Sequence, residues 1–187
     1  MQIETQAPNA PVLSLDAAND TGLTGDNTTN QSSVTIDVSA ETAGGMVVNS
    51  PLSGGRAEIG GNSSIEFPGG SHAAVSFDGG AAPSTAGMLK LDFSAAGAFD
   101  GAIAGFTGYD KIDLADIAGA RATVAYAANG VGTGGTLTVS DGTHTASLAL
   151  LGQYAAAGHF ATAADEHGGT LLTLSDPSEN HLLAPGT

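Results

Sequence analysis

The chain has 187 residues, 19 acidic against 4 basic, a net charge of −15 and no cysteine. That charge excludes nonspecific nucleic-acid binding, which needs clustered Lys and Arg to meet phosphates, and argues equally against an anionic membrane surface. Without cysteine there is no disulfide framework, thiolate metal site or thiol nucleophile. Ala supplies much of the 41% apolar fraction, Gly adds 28 residues with no side chain to bury, and Trp is absent, so the composition predicts a thin, layered core.

Met1 to Gln6 has neither a basic nor an apolar region. No cleavable signal peptide is expected, and an export address would lie elsewhere. No apolar run reaches the ~18–20 residues of a membrane span. The first strand signal is Val34 to Val38, with three β-branched residues on one face. Ala73 to Phe77, Met88 to Phe93 and Thr136 to Val139 alternate in the same way. Period two predicts half-buried strands. Between residues 44 and 80, Gly pairs recur at 44–45, 54–55, 60–61, 69–70 and 79–80. One short strand per interval is the rhythm of a stacked β-solenoid; Gly-rich loops in an ordinary β-sandwich would give a similar pattern.

Gly134 to Asp141 returns 34 residues later as Gly168 to Asp176, with one residue inserted. The match predicts two similar hairpin arms lying side by side, with a bulge or register change in the second. Asp113 to Ala118 and Gln153 to Ala161 are each expected to form about one helical turn. The fold class predicted is all-β: short Gly-punctuated strands in a partial β-solenoid or β-roll-like stack from about 44 to 93, then a β-sandwich-like cap from 94 to 175. Residues 1–43 read as an N-terminal strand and linker, 44–175 as the folded domain and 176–187 as a flexible tail. The expected core includes Ile65, Phe67, Leu89, Leu91, Phe106, Ile112, Leu114, Phe93, Val124 and Leu171.

Two segments carry resemblances. Asp20 to Asn30 has the form D-x-G-x-x-G-D-N-x-T-N and resembles the Asp-rich loop that opens the Ig-like repeats of large bacterial surface adhesins. The pattern stops near Ala43, so only a truncated copy is present. In the adhesin repeats such acids often hold Ca²⁺, which here implies Asp16, Asp20, Asp26 and Asn27. Ile103 to Ile117 reads I-x-x-F-x-x-x-D-K-I-D-L-x-x-I. It is similar to the region that follows the repeats-in-toxin β-roll in type I secreted bacterial proteins. Gly134 to Tyr154 looks like the terminal β module of rhizobial surface proteins. The Gly-rich calcium-binding nonapeptide of a true β-roll is missing, so the resemblance implies a cap without its roll. It further implies a secreted, extracellular or cell-surface protein of adhesin type.

Chemistry is sparse. Asp110, Asp113 and Asp116 stand three apart, and on a turn leading into a short helix they would share a face able to take Ca²⁺ at ~2.3–2.6 Å. The other reading is a helix-capping Asp among solvated acids. The five His show no zinc spacing, no G-x-S-x-G elbow occurs, and Gly130 to Gly135 lacks the Lys of a phosphate loop and reads as a hairpin turn. Tyr109 and Tyr126 are the plausible donors for a sugar-stacking pair. The function expected is therefore a non-catalytic extracellular or cell-surface structural or adhesin module, with Ca²⁺ as its expected stabiliser. The alternative is a carbohydrate-binding β module or the non-catalytic part of a secreted hydrolase. Partners expected are a second copy of the chain or a surface polysaccharide, with no nucleic acid and no membrane insertion.

Overall fold

The structure is a computed structural model. It describes residues 45–49, 52–78, 82–93, 99–154 and 159–175, and the backbone alone for 12–15 and 36–39. The described residues are all-β, apart from two short 3-10 turns. β1 (Val12–Leu15) pairs antiparallel with β2 (Ile36–Ser39) in a sheet of their own. The candidate calcium loop Asp16, Asp20, Asp26 and Asn27 lies outside the described residues, as do residues 176–187.

From Gly45 onward the chain alternates between two sheets. β3 (Gly45–Val47), β5 (Ser64–Phe67), β7 (Met88–Leu91) and β9 (Lys111–Leu114) go to one sheet, each parallel to the last. β4 (Arg56–Gly60), β6 (Ala74–Asp78) and β8 (Ala102–Ala104) go to the other, likewise parallel. Parallel pairing thus runs to Leu114, past the boundary expected at residue 94.

Antiparallel strands complete both sheets. β10 (Thr123–Ala128), β11 (Gly134–Ser140) and β12 (Thr145–Leu151) form a meander that joins β8. β13 (Phe160–Ala164) and β14 (Thr170–Leu174) form a hairpin that joins β9. The sheet orders are β10-β11-β12-β8-β6-β4 and β13-β14-β9-β7-β5-β3, and neither closes into a barrel. Gly130 to Thr133 lies in the β10–β11 connection, as the hairpin reading expected.

Stacked rungs build the core. Met46, Ile65, Leu89, Ile112 and Leu172 are successive partners across one sheet, and the last four are buried. Val75, Ile103 and Leu150 form the corresponding row in the other. One hydrophobic cluster joins the buried residues of both sheets. Each fully buried Leu, Ile or Phe contributes roughly 1.5–3 kcal/mol. The rungs approach closely at Gly101, where a Cβ would lie 1.8 Å from the Ala73 carbonyl oxygen.

Three expectations need correction. Asp113 to Ala118 forms no helical turn: Ile112 and Leu114 are both fully buried in strand β9, and the chain turns only after Leu114. At Gln153 to Ala161, residues 155–158 lie outside the description and Phe160 opens a strand. Leu171 is half-buried while Leu172 and Leu174 are buried, because the extra residue in the second repeat copy shifts its alternation by one. The two copies do not lie side by side; β11 and β14 belong to different sheets. Phe93 and Val124 also pack at the margin of the core.

Candidate functional site

The densest polar chemistry surrounds β9 and the two loops that flank it. In a strand, side chains alternate, so residues three apart point to opposite faces. Asp113 lies in β9 itself, on the face away from Ile112 and Leu114, whereas Asp110 precedes the strand and Asp116 lies in the turn that follows it. The Asp110 carboxylate is fully buried and accepts hydrogen bonds from the backbone N–H of Gly87 (2.9 Å) and Thr107 (3.2 Å). Burial pushes its pKa up, and those two N–H groups oppose the rise. Asp116 Oδ1 accepts from the Phe93 N–H at 3.1 Å. Asp110 and Asp116 thus staple β9 to the two ends of β7. Among the described residues no group of three acidic or His side chains gathers in a metal-binding arrangement.

Asp113 sits on the outer face. Its register partners are Lys90 on β7 and Leu171 on β14, and Lys90 in turn pairs with Glu66 on β5. Lys90 Nζ lies 3.9 Å from Glu66 Oε1. Asp113 is 8% exposed, and its Oδ1 has no hydrogen-bond partner. Burial raises its pKa, the nearby Asp165 raises it further, and Lys90 partly offsets both.

Two loops close on an Asp. Asp141 Oδ1 accepts from the N–H groups of Thr143 and His144, each at 2.7 Å, and Oδ2 from Ala118 N–H at 2.9 Å. The donors from His144, Ala118 and Thr143 hold its carboxyl well below the ordinary range. Asp165 Oδ1 accepts from His167 N–H (2.8 Å) and Gly169 N–H (2.7 Å). Burial pushes Asp165 up, but backbone donors from His167, Gly169 and Gly168 outweigh it, and its pKa is lowered. The sequence reading missed Asp165. The signal available was its likeness to Asp141, an Asp followed within three residues by His at a strand end.

The two Tyr candidates have different surroundings. Tyr126 faces Tyr154 edge-on at 5.9 Å and Phe160 at 5.6 Å. Burial raises the pKa of both Tyr126 and Tyr154, the latter strongly. Tyr154 donates its hydroxyl proton to the Phe106 carbonyl at 2.6 Å, tying this cluster to the rungs. Tyr109 instead lines a cleft of about 250 Å³ with Lys111, Thr173, Leu174, Gly108, Pro83 and Ala86. Lys111 makes no salt bridge with the described residues, so the cleft combines an unpaired cation, two hydroxyls and an apolar lining.

The described residues define an all-β protein of two mixed sheets. No family model, no curated protein and no solved structure matches the chain. No helix among the described residues is long and apolar enough to cross a membrane.

Proposed function

We propose that this protein is a non-catalytic extracellular or cell-surface module of adhesin type, the terminal cap of a secreted β-rich protein. The observation that carries this reading is the difference between the two ends of the sheets. At one end both sheets finish, among the described residues, in single parallel strands, β3 and β4; at the other both finish in antiparallel hairpins, β13–β14 and β10–β11. A bare parallel edge accepts further rungs, in the manner of a β-roll-like stack, whereas a hairpin turns the chain back and ends it. The test is a pair of fusions to an array of parallel Gly-rich β repeats. With the array joined ahead of the chain, the array's melting temperature should rise. With the array joined behind it, no rise is expected. Equal effects from both sink the reading. The same bare edge would also pair two copies, which light scattering on the purified chain would detect.

Calcium enters the proposal at Asp16, Asp20, Asp26 and Asn27, because Asp110, Asp113 and Asp116 gather in no metal-binding arrangement among the described residues. Ca²⁺ should raise the melting temperature of chelator-treated protein more than Mg²⁺ does, since Mg²⁺ demands tighter octahedral geometry. Asn at all three Asp positions should abolish the difference. Weak sites of ~10⁻⁴–10⁻³ M suffice outside cells.

The Tyr109 cleft supports a second reading, a carbohydrate-binding module. Apolar lining with a few placed polar groups is the usual make-up of a small-molecule site. Glycan-array binding that disappears in Tyr109→Ala would favour it over the capping role.

A further inference from the structure

The β10–β11 connection holds a reactive step that neither the capping role nor the cleft uses. Asn129–Gly130 is the chain's only Asn followed by Gly, and both residues are exposed. An Asn side chain and the peptide nitrogen that follows it can close a cyclic imide. Gly favours this closure because it has no Cβ to hinder a close backbone approach. Among the described residues the Gly130 N–H has no acceptor, so its nitrogen is not occupied.

The loop holds the Asn129 amide in place. Oδ1 accepts from the Thr133 N–H at 3.0 Å, and Nδ2 donates to the Thr133 hydroxyl at 3.1 Å. The backbone closes around it, with the Asn129 N–H on the Gly134 carbonyl (2.8 Å) and the Gly132 N–H on the Asn129 carbonyl (3.1 Å). A backbone N–H on Oδ1 polarises the amide and stabilises the oxyanion that forms when its carbon is attacked. The Thr133 oxygen stands next to the nitrogen that must leave. A hydroxyl both accepts and donates, so it can turn to serve that nitrogen as the bond breaks.

We propose that Asn129 is a modification site that deamidates in the folded chain, with water as the only co-reactant. Solvent base removes the Gly130 N–H proton, and the nitrogen attacks Asn129 Cγ. The Cγ–Nδ2 bond breaks, and the nitrogen takes up a proton and leaves as ammonia. Water then opens the imide at either carbonyl, giving Asp or the β-linked isoAsp; nothing is oxidised or reduced. The Asp165 loop shows that this kind of turn accepts the acid. Asp165 Oδ1 holds the Gly169 N–H four residues on, the same span over which Asn129 Oδ1 holds Thr133. A carboxylate at position 129 therefore keeps the loop closed, whereas isoAsp puts an extra methylene into the backbone and opens it.

The test is incubation of the purified full chain at mildly alkaline pH, in buffer and in urea, read by peptide mass spectrometry and by enzymatic methylation of isoAsp. In buffer, Asp and isoAsp should accumulate at position 129, faster as pH rises. Gly130→Ala is the control, since a Cβ at Gly130 meets nothing within 4 Å and its φ lies outside the left-handed region; it should fold normally and lose most of the conversion. Asn129→Asp should leave the Thr133 amide as slow to exchange as in wild type. Conversion confined to the urea-unfolded chain overturns the proposal, because the folded loop would then protect Asn129. So does a Gly130→Ala chain that converts as fast as wild type, which would mean direct hydrolysis without the imide. A Thr133 amide that exchanges freely in Asn129→Asp overturns the predicted closure.

Discussion

The parallel rungs β3 to β9 and the antiparallel arms β10 to β14 share one core but hold it differently. In the rungs, a buried side chain meets the equivalent side chain of a strand roughly one circuit of the chain away, as Ile65 meets Leu89 and Leu89 meets Ile112. In the arms, β11 and β12 are sequence neighbours whose turn is tied by the Asp141 carboxylate. Damage to a rung should therefore spread to the strands on both sides, while damage to an arm should stay within its hairpin. The difference also explains where polar staples occur. Asp110 and Asp116 tie one rung to the next, because parallel neighbours are not joined by a tight turn. Asp165 organises a single turn, whereas Asp141 organises its own turn and also holds the Ala118 N–H after β9.

The largest expected effect is at a contact between rungs. In Gly101→Ala the new Cβ would overlap the Ala73 carbonyl oxygen, so the backbone must move; a loss of about 4 kcal/mol or more is expected from urea unfolding, the scale of exceptional single substitutions. A smaller, paired test separates the halves. Leu89→Ala and Leu148→Ala each remove a fully buried side chain and should each cost ~2–5 kcal/mol. Hydrogen exchange should then accelerate in β5 and β9 for the first variant, but mainly in β11 and β12 for the second. Identical exchange patterns would remove the distinction. The smallest effect is expected at Asp141→Ala. The chain should stay folded, with faster exchange confined to the amides of Thr143, His144 and Ala118, whose acceptor is lost. Because the Asp141 pKa is lowered, its contribution is complete above the unfolded value near 3.8 and fades only as pH falls through the lower folded value. Wild type and Asp141→Ala should accordingly differ by the same amount at pH 5 and pH 7.

Alternation made the strands legible. Ile65, Phe67, Leu89 and Leu91 lie buried where period two places them. Partners were not legible, because period two names a face and not a neighbour, and parallel partners stand many residues apart. The sequence Asp113-Leu-Ala-Asp116 misled for a related reason. Its spacing matches a helix start, but Ile112 and Leu114 alternate into the core, and burial overrides the local signal. The strand takes Asp113 alone, and Asp110 and Asp116 fall in the loops on either side of it. At Leu171 the inserted residue was visible in the sequence, but its effect on facing required the register with β9 to be known.

The rung stack has a mechanical consequence. Hydrogen bonds between strands lie across the strands, toward the next rung. A pull along the stacking direction, from β3 toward β13, loads each ladder in turn and peels the sheets like a zip. A pull along the strands loads every ladder together and must shear them at once. An optical-tweezers comparison with handles at Met46 and Phe160, against handles at the start of β8 and the end of β12, which are paired in parallel, would find the first direction weak and stepwise and the second strong and abrupt.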